Sequence, residues 1–215
     1  MQAPRIHPTA LVEDDVVIGP GSAIWDHVHI RHGARLGTQC IVGGKSHISY
    51  DVHIGNRVKI NSFVFICTGV TIEDGVMVSA GTIFTNDRTP RATTPDLLDL
   101  RTSDPDEHTK PTLVREGATI GARCVIGCDL TIGRFAMVGM GSVITRSVPD
   151  FHIVIGQPAQ FAGYVCRCGN VLVRYSSPAV LKHQHITTCS ACARAYSIDA
   201  GTVYELTPSV PAMAG

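Results

Sequence analysis

Large apolar residues recur along this chain with a period of six. Starting at Ile6 and stepping by six gives Val12, Ile18, Ile24, Ile30, Leu36, Val42, Ile48, Ile54, Ile60, Ile66, Ile72, Val78 and Phe84 without a miss. The register resumes at Val114 and runs through Ile120, Ile126, Ile132, Val138 and Ile144. Only 44% of the residues are hydrophobic, so chance does not fill every sampled position. Four residues after most of the large ones stands a small or β-branched residue, among them Ala34, Cys40, Ser46, Val52, Val58, Ala118 and Cys124. A glycine often follows the large residue directly, as at Gly19, Gly37, Gly43, Gly55, Gly121 and Gly133. A period of six fits neither the 3.6 of a helix nor the two of an alternating strand. It predicts a solenoid of short flat strands meeting at repeated corners, with the large residues inside and glycine easing each corner by positive φ or close approach.

Between Phe84 and Val114 the repeat stops, and the intervening chain is rich in proline and charge. Such a stretch cannot continue a wall of paired strands. Thirty residues separate the two registers, a multiple of six, so the coil closes again in phase around one outward loop over about 85–113. A long loop on a compact scaffold is a place to look for function.

The hexad resembles that of the hexapeptide-repeat proteins: a large aliphatic residue, a Gly, Ala or acidic residue, two open positions, a small residue and one more open position. The resemblance covers nearly all of residues 6–149 and implies an all-β, left-handed parallel β-helix of about seven coils, three hexads to a coil, assembled as a homotrimer. A second resemblance is narrower. Phe84-Thr85-Asn86-Asp87-Arg88-Thr89-Pro90-Arg91 is similar to the FTN-x-x-x-PR run of nucleotide-sugar N-acetyltransferases. Ile24-Trp25 with His27 and His29, Gly69–Asp74, Gly117–Gly121 and Val154–Ala159 match the same group. Its members acetylate the 3-amino group of UDP-2-acetamido-3-amino-2,3-dideoxyglucuronate or of dTDP-3-amino-3,6-dideoxyhexoses. This resemblance implies acetyl-CoA-dependent transfer to an amino group, C3 in those relatives, on a nucleotide-linked sugar, for cell-surface polysaccharide or glycoside biosynthesis.

N-acetyl transfer needs a neutral amine beside the thioester, a donor to the oxyanion and an outlet for a proton. In the relatives an asparagine holds the amine and the departing CoA thiolate takes the proton, which assigns the first role to Asn86. An amide suits it, because its oxygen accepts from the amine without favouring ammonium as a carboxylate would. Imidazole is the rival base near neutrality, and His29, within the matched motif, is its candidate. With eighteen residues per coil, His29 stacks on His47, and His32, Tyr50, Thr68 and Asn86 form another column. Lys59, as a point charge for a diphosphate, Asn61 and Arg91 are candidates for the nucleotide sugar. The family tends to carry two amides after Lys-Ile, and this chain reads Asn61-Ser62 there. Coenzyme A in the relatives lies along later coils between subunits, which points to Gly121, Gly139, Gly141 and Ser142 for pantetheine and Arg146 for a phosphate.

Of eight cysteines, Cys40 and Cys124 occupy small interior slots, and Cys67 and Cys128 carry no sequence signal. The other four form two close pairs, Cys166-x-Cys168 and Cys189-x-x-Cys192. That arrangement predicts a zinc-ribbon-like C-terminal appendage over 164–215 holding a structural Zn²⁺, with His183 and His185 as optional ligands and residues 1–163 as the β-helix. A redox dithiol or free thiols are the other readings of the same residues.

Eighteen basic residues balance eighteen acidic ones, so no nucleic-acid or membrane partner is expected. No apolar run is long enough to span a bilayer and MQAPRIHPTA lacks a signal-peptide order, so a cytoplasmic protein is expected. Three competing functions fit the fold: an O-acyltransferase, a γ-class carbonic anhydrase, and a scaffold without activity. The loop's only histidine is His108, and only His27 and His32 stand five apart. Neither pattern matches what the first two would need.

Overall fold

The computed structural model describes residues 2–174 and 185–206. Every regular element among them is a strand, most of two residues, and those up to Ile144 are laid on three parallel sheets visited in turn. The first face stacks Arg5–Ile6, Ala23–Ile24, Ile41–Val42, Lys59–Ile60, Met77–Val78, Thr119–Ile120 and Met137–Val138. The second carries Leu11–Val12, His29–Ile30, His47–Ile48, Phe65–Ile66, Ile83–Phe84, Val125–Ile126 and Val143–Ile144. The third carries Val17–Ile18, Arg35–Leu36, His53–Ile54, Val70–Ile72, Thr112–Val114 and Leu130–Ile132, and Val148 bridges to Ile132. This is the three-sided coil of a β-solenoid, consistent with the left-handed β-helix. Seven courses are complete, and His152–Gly156 opens an eighth on the first face.

Ile24 through Ile144, at six-residue spacing, are all buried in one continuous core. Each such side chain contributes about 1.5–3 kcal/mol by leaving water. Ile6 is 43% exposed, because no coil lies beneath it. Ser22 and Ser46 sit in small slots, and each hydroxyl donates to a carbonyl, Gly37 O and Asn61 O, while accepting a backbone N–H from the next coil. Cys40 and Cys124 are fully buried, as their slots predict.

The glycine after each large residue and the left-handed corner prove to be different positions. A Cβ on Gly43 would lie 2.5 Å from Ser62 N and 2.6 Å from Asn61 C, so this glycine serves close approach of two coils. The left-handed residue comes two places later, and polar residues often take it: Gln39, Lys45, Asp51 and Arg57 all have φ near +55 to +61°.

The loop leaves after Phe84 and rejoins the solenoid at Thr112, two residues earlier than the repeat alone suggested, because Thr112–Val114 pairs fully with Val70–Ile72. Beyond the last coil, Ala159–Val165 and Val171–Arg174 extend the first sheet antiparallel. His185–Thr188, Ala195–Asp199 and Thr202–Glu205 form a separate antiparallel sheet. His183 lies outside the described residues.

Candidate functional site

Asn86 sits where the loop departs, at the corner between the second and third faces. Thr85 still holds the solenoid there, its N–H donating to Ile126 O at 2.9 Å. One residue on, the Asn86 carbonyl accepts from Lys110 N at 2.8 Å and closes the neck of the loop. The half-buried side chain donates from Nδ2 to Thr68 O at 3.4 Å, leaving Oδ1 as its accepting end. Thr68 and Asn86 are therefore stacked as the eighteen-residue spacing predicts. Pairing of Phe84 with Ile126 sets Cys128 in the next layer of the same column. Cys67 donates to Phe84 O, and burial, then the nearby Cys128, pushes its thiol up to about 11, which makes it a poor nucleophile.

Sequence reasoning missed Arg101, which organises the loop. Its guanidinium lies 3.5 Å from Asp87 and 3.8 Å from Asp106, donates to Thr89 O at 3.3 Å, and is mostly buried. No sequence signal singled it out, since the loop over 85–113 holds three arginines and five aspartates. Arg88 pairs with Asp129 of the next coil at 2.9 Å. Arg91 is exposed and donates to Pro90 O. The loop tip presents Leu97, Leu98 and Leu100, 77, 79 and 81% exposed.

His29 belongs to a different cluster. Its Nε2 lies 2.7 Å from Glu13 Oε1, which also meets Arg31 Nε at 2.7 Å, while Glu13 Oε2 accepts from His32 N at 2.9 Å. The His32 amide first, then His29 and Arg31, hold the Glu13 carboxyl down to about 2. His47 stands edge-on to His29 at 5.0 Å and stacks on Phe65, and burial lowers its pKa. Three coils separate His29 from Ile83, just before Asn86. At about 4.8 Å per layer that is roughly 14 Å, so one chain does not bring His29 to Asn86.

Lys59 and Asn61 line a groove of about 560 Å³ at the corner between the first and second faces, together with Arg5, Trp25, Asp26 and Ile41. Arg5 lies over the Trp25 ring at 5.1 Å. Cations beside an exposed indole can hold a phosphate and a flat ring. This groove and Asn86 occupy opposite edges of the second face, so a single chain does not join them either.

The glycines expected to meet pantetheine are largely engaged between coils. Gly121 N, Gly139 N and Gly141 N donate to Val138 O, Val154 O and Ala122 O. Ser142 is fully buried, its hydroxyl donating to Gly139 O and accepting from Gly156 N. These N–H groups are thus engaged within the fold. Arg146 is exposed at the end of the solenoid and borders a cavity of about 350 Å³ with His152, Val154, Phe161 and Tyr164. His152 Nδ1 donates to Asp150 O at 2.9 Å, and burial lowers its pKa.

In the tail, the thiols of Cys166, Cys168, Cys189 and Cys192 converge within 4.8 Å of one another.

Residues 111–146 match the hexapeptide repeat of succinyl-transferase. The chain is 40% identical over 95 residues to dTDP-3-amino-3,6-dideoxy-alpha-D-galactopyranose 3-N-acetyltransferase of Aneurinibacillus thermoaerophilus, a match covering 44% of this chain and 45% of that relative. It is 32% identical over 152 residues to the bifunctional protein GlmU of Synechococcus sp. (strain CC9311), covering 70% of this chain and 28% of the relative. These matches span less than half the length of the relatives. A variant of AntD, an N-acyltransferase from Bacillus cereus solved with dTDP and coenzyme A, superposes with a TM-score of 0.53 at 17% identity. That likeness covers 78% of this chain and 85% of the other, and it concerns the fold. The six-residue repeat fills three-sided coils on both sides of that matched segment.

Proposed function

We propose that this chain is an acetyl-CoA-dependent N-acetyltransferase acting on the amino group, at C3, of a nucleotide-linked sugar, in cell-surface polysaccharide or glycoside biosynthesis. The observation that carries the reading is Asn86: an amide in the FTN-x-x-x-PR run, anchored through Nδ2 at the loop neck so that Oδ1 accepts. The relative of A. thermoaerophilus, named for 3-N-acetylation of a dTDP-amino sugar, supports the same chemistry. In this reading Asn86 Oδ1 accepts a hydrogen bond from the neutral amine, whose lone pair attacks the thioester carbonyl. As the tetrahedral adduct collapses, the C–S bond breaks and the CoA thiolate takes the amine proton. Lys59, Asn61 and Trp25 hold the nucleotide, Arg91 is a further anion contact, and Arg146 meets a coenzyme A phosphate.

Asn86 and the Lys59 groove lie on opposite edges of one face, so the acceptor site is completed between chains of a homotrimer. The outward, exposed Leu11, Phe65, Ile83 and Val125 of the second face and the leucines of the loop tip supply apolar surface for that contact. Three layers keep His29 away from Asn86 within one chain, and the thiolate route needs no protein base. We place the enzyme in the cytoplasm, with 1–163 as the catalytic solenoid and 164–215 as an appendage holding one structural Zn²⁺ on its four cysteines.

A panel of UDP- and dTDP-linked amino sugars with acetyl-CoA, read by thiol release, tests the activity. Turnover of a 3-amino sugar nucleotide is expected, and acylation only of hydroxyl acceptors would overturn the assignment.

A further inference from the structure

The four tail cysteines come from two sheets that, among the described residues, share no hydrogen-bond ladder. Cys166 and Cys168 follow Ala159–Val165, a strand of the ten-stranded sheet that forms the first face of the solenoid. Cys189 and Cys192 lie in the turn between His185–Thr188 and Ala195–Asp199 of the separate tail sheet. Each pair sits on a tight turn. Gly169 N donates to Cys166 O at 2.8 Å, and Ala193 N donates to Cys189 O at 2.9 Å, with Gly169 and Ala193 both left-handed. Across the gap Cys166 and Cys192 Sγ stand 3.4 Å apart and Cys168 and Cys189 Sγ 3.6 Å apart. Four thiolates at about 2.3 Å around a tetrahedral ion have sulfurs roughly 3.8 Å apart, so the set fits a soft divalent cation.

The surroundings suit thiolates. Tyr196 accepts from Arg167 N at 3.1 Å, which turns its own O–H toward Cys166 Sγ at 3.1 Å. Asn170 Nδ2 donates to Cys189 Sγ at 3.7 Å. Arg194, two residues past Cys192, has Nη1 buried without a hydrogen-bond partner.

Arg167, between the first two cysteines, reaches in two directions. Its guanidinium lies 3.7 Å from Glu116 on the solenoid and 3.6 Å from Glu205 in the tail, and covers the Phe135 ring at 4.4 Å. Beneath it Phe151, Tyr164, Tyr196, Ile198 and Val203 form a small core distinct from that of the coils. Among the described residues, seven buried ones are few to fix a sheet by packing alone.

Building on the reading that the four cysteines hold one zinc-class ion, we propose that this ion is the joint between tail and solenoid, with Arg167 as the residue that positions the tail on the coil. The ion replaces the missing ladder, tying the turn between the last two strands of the first sheet to the tail sheet by metal–sulfur bonds. Held this way, Ala200 and Gly201 wall the cavity bordered by Arg146 and His152.

The experiment is hydrogen exchange on the full chain, purified without chelator, alongside elemental analysis; neither readout depends on activity. About one zinc per chain is expected, and less than about 0.3 would overturn the metal reading itself. On removing zinc with a thiol-mercury reagent and chelator, exchange across 195–205 should speed by at least about tenfold while 23–84 keeps its protection. Unchanged exchange in a zinc-free protein would overturn the joint while leaving the transferase reading untouched. The exposed pair, changed together as Cys168→Ser and Cys192→Ser, should reproduce the zinc-free pattern without disturbing the coils. Arg167→Ala should keep its zinc and still loosen 195–205; zinc retained with full protection would remove Arg167 from the positioning role.

Discussion

At the scale of single residues, the site depends on which end of an amide is anchored. Thr68 O holds Asn86 Nδ2, so Asn86→Ala removes the proposed acceptor for the substrate amine while leaving the loop neck, made by main-chain atoms, in place. A fall in kcat of about 10²-fold or more, with KM for acetyl-CoA little changed, is expected from steady-state kinetics. Asn86→Asp should lower it as well, because a carboxylate there favours ammonium. His152 gives a pH prediction. Its folded pKa is depressed by burial, so the unfolded chain binds the proton more readily. Stability is full above the ordinary histidine value of 6.5 and declines as pH falls below it. Melting temperature should therefore drop between pH 7 and 5, more shallowly in His152→Asn, whose Nδ2 can still donate to Asp150 O.

At the scale of elements, the repeated corner is the unit of construction. Gly43→Ala would drive a Cβ to 2.5 Å from Ser62 N, backbone that cannot give way without moving a coil. Denaturant titration should show a loss of about 1–3 kcal/mol. Gly141→Ala meets nothing within 4 Å and is strained only by its φ of +72°, so its loss should be smaller, about 1 kcal/mol. The contrast separates the two uses of glycine that the sequence pattern merges. Gly43, Gly121 and Gly133 look alike in a list of hexads, and so do Gly33 and Gly75, yet only coordinates show which of them face another coil's backbone.

On the scale of the whole molecule, the candidate residues divide between two edges of one face. If the site forms between chains, Lys59→Ala and Asn86→Ala disable different halves of it. Mixed trimers of the two inactive variants should then regain roughly a quarter of wild-type activity, the share of interfaces that pair two intact halves. Size-exclusion chromatography with light scattering should show three chains per particle. A monomer of full activity would defeat the split site.

The fold was legible because its cause is local and repeated: a large aliphatic residue every sixth position can be buried only if the chain turns at every hexad. The loop was legible for the converse reason, since its prolines and charges cannot occupy that wall. Asn86 and the cysteine pairs could be named from their motifs, and the Thr68–Asn86 stack from spacing of eighteen. Which residues meet across those spacings was not readable. Arg101 closes the loop on Asp87 and Asp106, Glu13 gathers His29 and Arg31, and Gly121, Gly139 and Ser142 are engaged in holding coils together. Such contacts depend on side-chain reach and on the layer offset between coils, neither of which is encoded in a one-dimensional period. The sequence by itself determined the solenoid, the place of the loop and the set of thiols. Only the tertiary structure decided that Lys59 and Asn86 stand on opposite edges and that the four thiols bridge two sheets, because both follow from how separate coils and sheets pack in space.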